Sequence, residues 1–201
     1  MKKQREIVAD LTDQELVLNV YLTQVIMLVL ALIIGYFVFD RWFDFGLLFK
    51  TNLKWMILVG GGVALVVVFT DLILERLLPK EWLDDGGINE RVFRNLSIPQ
   101  LFLLCAVVAF AEELLFRAVI QTAFGLVIAS VIFALVHIRY LDKPILFFNV
   151  CLVSFLLGTL FYWTGMIMIT IFAHFLIDFL LGIILRNRYK KNIEKEGGVR
   201  T

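Results

Sequence analysis

Apolar residues run in blocks along this chain, and the blocks come in membrane-sized units. Residues 16–36 form one block, with no charge before Asp40. Residues 55–74 form a second, interrupted only by Asp71 and carrying Gly60, Gly61 and Gly62 near its start, where another helix can approach closely. About 20 apolar residues carry a helix across the hydrocarbon of a bilayer, so each block predicts one crossing. Residues 98–138 and 144–185 are each about twice that length and must each turn once. Polarity and glycine coincide at residues 121–125 in the first stretch and at Thr164 and Gly165 in the second, which sets the turns there. The pattern predicts an all-α, polytopic transmembrane bundle of about six spans.

The organisation that follows has three parts. Residues 1–97 hold two spans with an interfacial segment (residues 40–54) and a polar connector (residues 75–97), residues 98–185 hold a four-span core, and residues 186–201 form a basic tail. The connector contains DDGGINE, which resembles a calcium loop only superficially because the spaced ligands of an EF-hand are absent.

Composition agrees with this reading and excludes others. Hydrophobic residues make up 61% of the chain and charged residues 18%, against about 25% in a soluble domain. Charge lies in short clusters with no long basic block, so nucleic acid is not an expected partner. Six spans place both termini and the loops at residues 75–97 and 139–144 on one side. That side holds 15 Lys and Arg residues, including Lys2, Lys3 and Arg5, and the other side holds only Arg41, Lys50 and Lys54. The positive-inside rule then puts both termini in the cytoplasm. The apolar run after the mixed-charge N-terminus is too long for a cleavable signal peptide, so the first span is expected to remain attached. Cys105 and Cys151 sit in apolar runs and read as buried thiols rather than a disulfide.

Against this background the intramembrane polar residues stand out. Glu113 and Arg117 are four apart with the acid N-terminal, the favourable order for an ion pair on one helix face. Glu112 lies about 100° around the helix and cannot share that face, which leaves a carboxylate in need of another reason. The chain has two histidines, His137 and His174, both in membrane segments, and Asp178 follows His174 by four residues on one face. Isolated polar groups often serve only to join helices. Two carboxylates and two imidazoles spread over three helices are instead the groups of a general base with an oxyanion or metal site, and their cost in lipid makes function the default. Ser154 and Gly158 read as a small-residue packing pattern rather than a nucleophile site.

In order and spacing, Glu112-Glu113-x-x-x-Arg117, Phe133-x-x-x-His137 and His174-x-x-x-Asp178 resemble the three-part signature of the CAAX protease and bacteriocin-processing (CPBP, or Abi) family of intramembrane endopeptidases. The resemblance covers about residues 100–185. It implies that Glu112 with His137 activates water for peptide-bond hydrolysis, that His174 and Asp178 stabilise the oxyanion, and that Glu113, Arg117 and Phe133 support the site. Two positions depart from the pattern. Asp178 stands where Asn is common, and a carboxylate donates no hydrogen bond unless protonated; Ala118 stands where Gly is common.

The resemblance leaves metal dependence open. No cofactor is required by it, zinc on Glu112, His137, His174 and Asp178 is the alternative, and the His-Glu-x-x-His spacing of zincins is absent. The expected substrate is a prenylated, leader or other membrane-associated peptide, the expected surroundings a bacterial cytoplasmic membrane, and the expected opening of the site cytoplasmic. The competing readings are a non-catalytic binding or immunity protein and a proton- or ion-coupled transporter, which would use the same groups.

Overall fold

The structure, a computed structural model, describes residues 10–198. Lys2, Lys3, Arg5 and Arg200, which enter the charge partition above, lie outside the described residues. Helices account for all the regular structure among the described residues, and five are long and apolar enough to cross a membrane. We label the helices α1 (Asp13–Val38), α2 (Leu53–Leu77), α3 (Ile98–Glu113), α4 (Thr122–Val136), α5 (Pro144–Thr164) and α6 (Ile167–Gly198). A π-helical segment, Leu114–Gln121, joins α3 to α4.

Local sequence explains the helix ends. Thr12 with Glu15 and Ser97 with Gln100 form capping boxes at the starts of α1 and α3, each satisfying otherwise orphaned amides. Pro144 opens α5, and Gly165 closes it in the left-handed region at φ 63°. In the connector the carboxylates of DDGGINE are used for turns. Asp84 accepts from the Gly86 amide at 2.8 Å and Asp85 from the Asn89 amide at 2.9 Å, with Gly86 and Gly87 at positive φ.

Helix α1 runs parallel to α3 and the π-helical segment. Leu16 packs in a cluster with Leu104, Gln24 meets Glu112, and Gly35 lies against Val119. Polar contacts tie the helix ends on one side: Asp13 pairs with Arg91 and Arg94, Arg186 donates to the Leu96 carbonyl, and Arg188 pairs with Glu75. At the opposite end the Ile167 amide donates to the Leu48 carbonyl across 2.9 Å. The chain therefore alternates direction from helix to helix. The expected close approach at the glycine triplet is realised at Gly60, where a Cβ would stand 3.0 Å from the Ile169 carbonyl oxygen. Asp71 faces Asn149, whose amide lies 3.4 Å away, and both cysteines are free. The basic tail continues α6 without a break as far as Gly198.

The turn expected within residues 121–125 falls at Gly125, with φ 85° and ψ 168°, a conformation essentially reserved for glycine. The chain folds back there: the Phe116 and Phe133 rings meet at 4.9 Å, and Arg117 reaches Ser130. The return differs from the expectation of a full fourth span. Residues 126–136 rise only about 16 Å, roughly half the hydrocarbon thickness. This shortness aligns two candidate residues. From Ile98 the chain climbs about 40 Å to Gly125 and descends about 18 Å to His137, which brings His137 near the level of Glu112, about 21 Å from Ile98.

Candidate active site

Glu112 and Glu113 are the last residues of α3, and Arg117 lies in the π-helical segment that follows. Such segments recur where a helix is distorted for function. Every residue of Leu114–Gln121 is buried, so the segment that follows the two glutamates is held by packing on all sides. Glu113 and Arg117 are both fully buried, and Glu113 Oε2 lies 3.5 Å from Arg117 Nε. This is an ion pair outside hydrogen-bond geometry, and neither of those two atoms has a hydrogen-bond partner. The rest of the guanidinium is anchored. Nη2 donates to Ser154 Oγ at 2.9 Å, Nη1 lies 3.5 Å from Ser130 Oγ, and the Phe133 ring stacks 5.3 Å away. Gly158 leaves the room, since a Cβ there would stand 3.1 Å from Arg117 Nη1.

His174 from α6 is the centre of the cluster. Its Nδ1 contacts Glu113 Oε1 at 2.9 Å, while its Nε2 faces Asp178 Oδ2 at 3.5 Å and Glu112 Oε2 at 3.9 Å. A carboxylate accepts and does not donate, so a ring protonated on both nitrogens satisfies both sides of this arrangement. Glu113 thus has two tasks, balancing Arg117 and orienting His174. The side chains of Glu112 and His174 are 9% and 7% exposed and that of Asp178 is 29% exposed, so the cluster is reached from the Asp178 side.

His137 stands at the margin. It is partly exposed at the end of α4, and its Nδ1 lies 2.8 Å from the Phe133 carbonyl oxygen. Because a carbonyl only accepts, Nδ1 carries the proton, and Nε2 of the neutral ring is left as a base or ligand. Phe133 links the histidines, with its centroid 4.7 Å from the His137 ring and 6.4 Å from the His174 ring. Beyond His137, Tyr140 stacks at 6.3 Å and accepts from Asn89 and Arg139.

The structure therefore gathers Glu112, Glu113, Arg117, Phe133, His174 and Asp178 and sets His137 one ring away. Among the described residues no group of three or more His, Cys, Asp or Glu side chains is arranged to hold a metal ion. Nδ1 of each histidine is held, by Glu113 or by the Phe133 carbonyl, an orientation that leaves Nε2 of each ring open.

Sequence reasoning missed three members. Ser130 and Ser154 hold Arg117, and Gln24 of α1 directs Nε2 at Glu112 Oε1 across 3.5 Å. Glu112 is thus not alone. The signal for Gln24 was its place near the middle of the first apolar block, shared there only with Asn19 and Thr23.

Residues 94–180 match the family described as type II CAAX prenyl endopeptidase Rce1-like. The chain is also 39% identical over 165 residues to a protein of Bacillus subtilis (strain 168) named Uncharacterized protein YpbD, an alignment spanning 82% of this chain and 87% of the relative. No solved structure matches the chain.

Proposed function

Because this chain belongs to the Rce1-like family of type II CAAX prenyl endopeptidases, we propose that it is a multi-pass membrane endopeptidase in which Glu112 activates water. The observation that carries this reading is the clamp on His174, held at Nδ1 by Glu113 and presenting Nε2 beside Glu112 and Asp178 inside an apolar bundle.

The chemistry divides among the side chains as follows. Glu112 takes a proton from water as the oxygen attacks the scissile carbonyl carbon, general-base work for which a carboxylate in a site closed to bulk solvent is suited. Negative charge develops on the carbonyl oxygen and is met by His174 Nε2–H, already aimed and costing no reorganisation. Glu113 and Asp178 balance the charge on that ring. Collapse of the tetrahedral intermediate breaks the C–N bond, and the proton held by Glu112 passes to the leaving nitrogen. His137, with Nδ1 fixed by Phe133 and Nε2 available as a base, accepts and returns protons at the open edge of the site. Arg117 and Phe133 hold the frame. No step passes through a metal.

The substrate in this reading is a membrane-associated peptide, prenylated or carrying a leader, and the surroundings are the cytoplasmic membrane of a bacterium with the site opening to the cytoplasm. The 15-to-3 partition of Lys and Arg supports that orientation. So does the greater exposure of Asp178 and His137, which lie toward the basic face.

The test is cleavage of fluorescence-quenched peptides, farnesylated CAAX peptides among them, by the purified protein in bilayer discs. Cleavage by wild type that is lost in Glu112→Gln supports the reading. Wild type that cleaves no member of the set, yet binds some of them, moves the protein to the binding class.

A further inference from the structure

Gln24 lies on α1, outside the residues that match the family. It is 3% exposed, and its carbonyl oxygen Oε1 is buried with no hydrogen-bond partner. A buried carbonyl without a donor is costly, and an apolar side chain of the same shape would avoid the cost, so such a group calls for an explanation. Packing does not supply one, because the neighbouring buried positions of the α1 stripe, Leu16, Ala31 and Gly35, carry no polar side chain. The other polar side chains of this stretch satisfy themselves locally: Asn19 donates to the Glu15 carbonyl and Thr23 to the Asn19 carbonyl.

The orientation of the amide has a cause. With Nε2 toward the carboxylate of Glu112, the carbonyl turns away from it; the reverse would set two acceptors against each other. An unpaired acceptor is thereby fixed beside the carboxylate assigned to water activation. An extended peptide bound across that carboxylate brings one kind of donor to this place, its own backbone N–H.

We infer that Gln24 is a positioning and substrate-contact residue: its amide nitrogen holds Glu112 Oε1, and its carbonyl accepts a backbone N–H of the bound peptide next to the scissile bond. The inference rests on the endopeptidase reading above, and it extends the site to a helix that the three motifs do not include.

The experiment pairs a protein change with a substrate change. Full-length wild type and Gln24→Met, in bilayer discs, are given a farnesylated CAAX peptide and a series of its depsipeptides. In each depsipeptide one backbone N–H flanking the scissile amide is replaced by an ester oxygen, with the scissile amide left intact. One ester is expected to lower wild-type kcat/KM about five- to tenfold, the range of a single hydrogen bond. Q24M is expected to start from a lower kcat/KM and to show no further loss with that ester, while its thermal midpoint is not below that of wild type. Wild type indifferent to every ester, as when a resident water satisfies Gln24, overturns the inference; so does a Q24M that loses as much as wild type. If wild type cleaves nothing, the endopeptidase reading fails, and the same amide-to-ester comparison is made on equilibrium binding of the intact peptides. Discrimination abolished by Q24M then sustains the contact, and discrimination unchanged or absent overturns it. Should Q24M fail to fold, Gln24→Asn, which keeps the amide but draws it back by one methylene, is read by the same comparison.

Discussion

His174 Nδ1 meets Glu113 Oε1 across 2.9 Å, a contact that joins two helices 61 residues apart in sequence. The carboxylate that balances the buried Arg117 is therefore the one that sets the ring of His174, so one group serves both the buried ion pair and the histidine.

Glu113→Gln removes the counter-charge of Arg117 while leaving an oxygen for His174. An uncompensated buried charge costs about 3–5 kcal/mol. Thermal unfolding in detergent is expected to show a loss of that order, and Glu113→Gln combined with Arg117→Met to be less destabilised than Glu113→Gln alone, because the orphaned charge is gone. A double variant as unstable as the sum of its parts would contradict the pairing.

Glu112→Gln should behave in the opposite way. Gln24 still finds an oxygen there and no guanidinium loses its partner, so the thermal midpoint stays near that of wild type. Cleavage falls by at least about 100-fold, the lower end of what a general base contributes. Chelator leaves the wild-type rate unchanged; inhibition reversed by zinc would require a metal centre that the side chains reach only after rearrangement.

Gly158 tests the frame around Arg117. A Cβ there would stand 2.4 Å from Leu126 Cδ1, 3.0 Å from Gln121 Oε1 and 3.1 Å from Arg117 Nη1. The leucine tip can swing aside, but the two polar ends are anchored, Gln121 to the Gly158 carbonyl and Arg117 to Ser154. Overpacking of this kind costs about 1–3 kcal/mol. Gly158→Ala is expected at the low end and Gly158→Leu at or above the high end by the same unfolding assay, with activity falling in step.

Gly125 and Gly62 form a matched pair. A methyl group added at either would meet no atom within 4 Å, but Gly125 sits at φ 85° and Gly62 inside a helix with ordinary φ. Gly125→Ala should cost about 1–3 kcal/mol from backbone strain alone, whereas Gly62→Ala should be neutral or stabilising by up to about 1 kcal/mol. Equal effects would show that the reversal at Gly125 does not depend on its left-handed backbone.

Much of the site was legible because charge in lipid is expensive and therefore conspicuous. Glu112, Glu113, Arg117, His174 and Asp178 announce themselves against apolar neighbours, and the four-residue steps between Glu113 and Arg117 and between His174 and Asp178 give each pair a common face. The reversal near Gly125 was legible as a length problem, since 41 residues at 98–138 cannot cross once. What stayed hidden depends on register between helices. Gln24 and Glu112 are 88 residues apart, and nothing local to α1 says that Gln24, rather than Asn19 or Thr23, faces α3. Ser154 lies in the small-residue pattern with Gly158, but its hydroxyl also serves Arg117, a partner visible only once α5 lies against the π-helical segment. The half-length of the return after Gly125 was hidden too, because residues 126–138 are apolar almost to His137 and hydropathy does not mark where a helix stops.

That short return has a consequence for the surrounding lipid. Val127, Ile128, Val131, Leu135 and Val136 are all exposed, so this rod stands on the perimeter of the bundle and faces acyl chains. It ends after about 16 Å, and Arg139 and Lys143 follow at once. Full-thickness hydrocarbon cannot be matched along that flank, and hydrophobic mismatch is relieved by a thinned leaflet and by water drawn in around the cations. On the endopeptidase reading, a peptide arriving along the membrane surface would meet a dimple beside His137, and the distance over which its backbone must be stripped of water would be cut by roughly half.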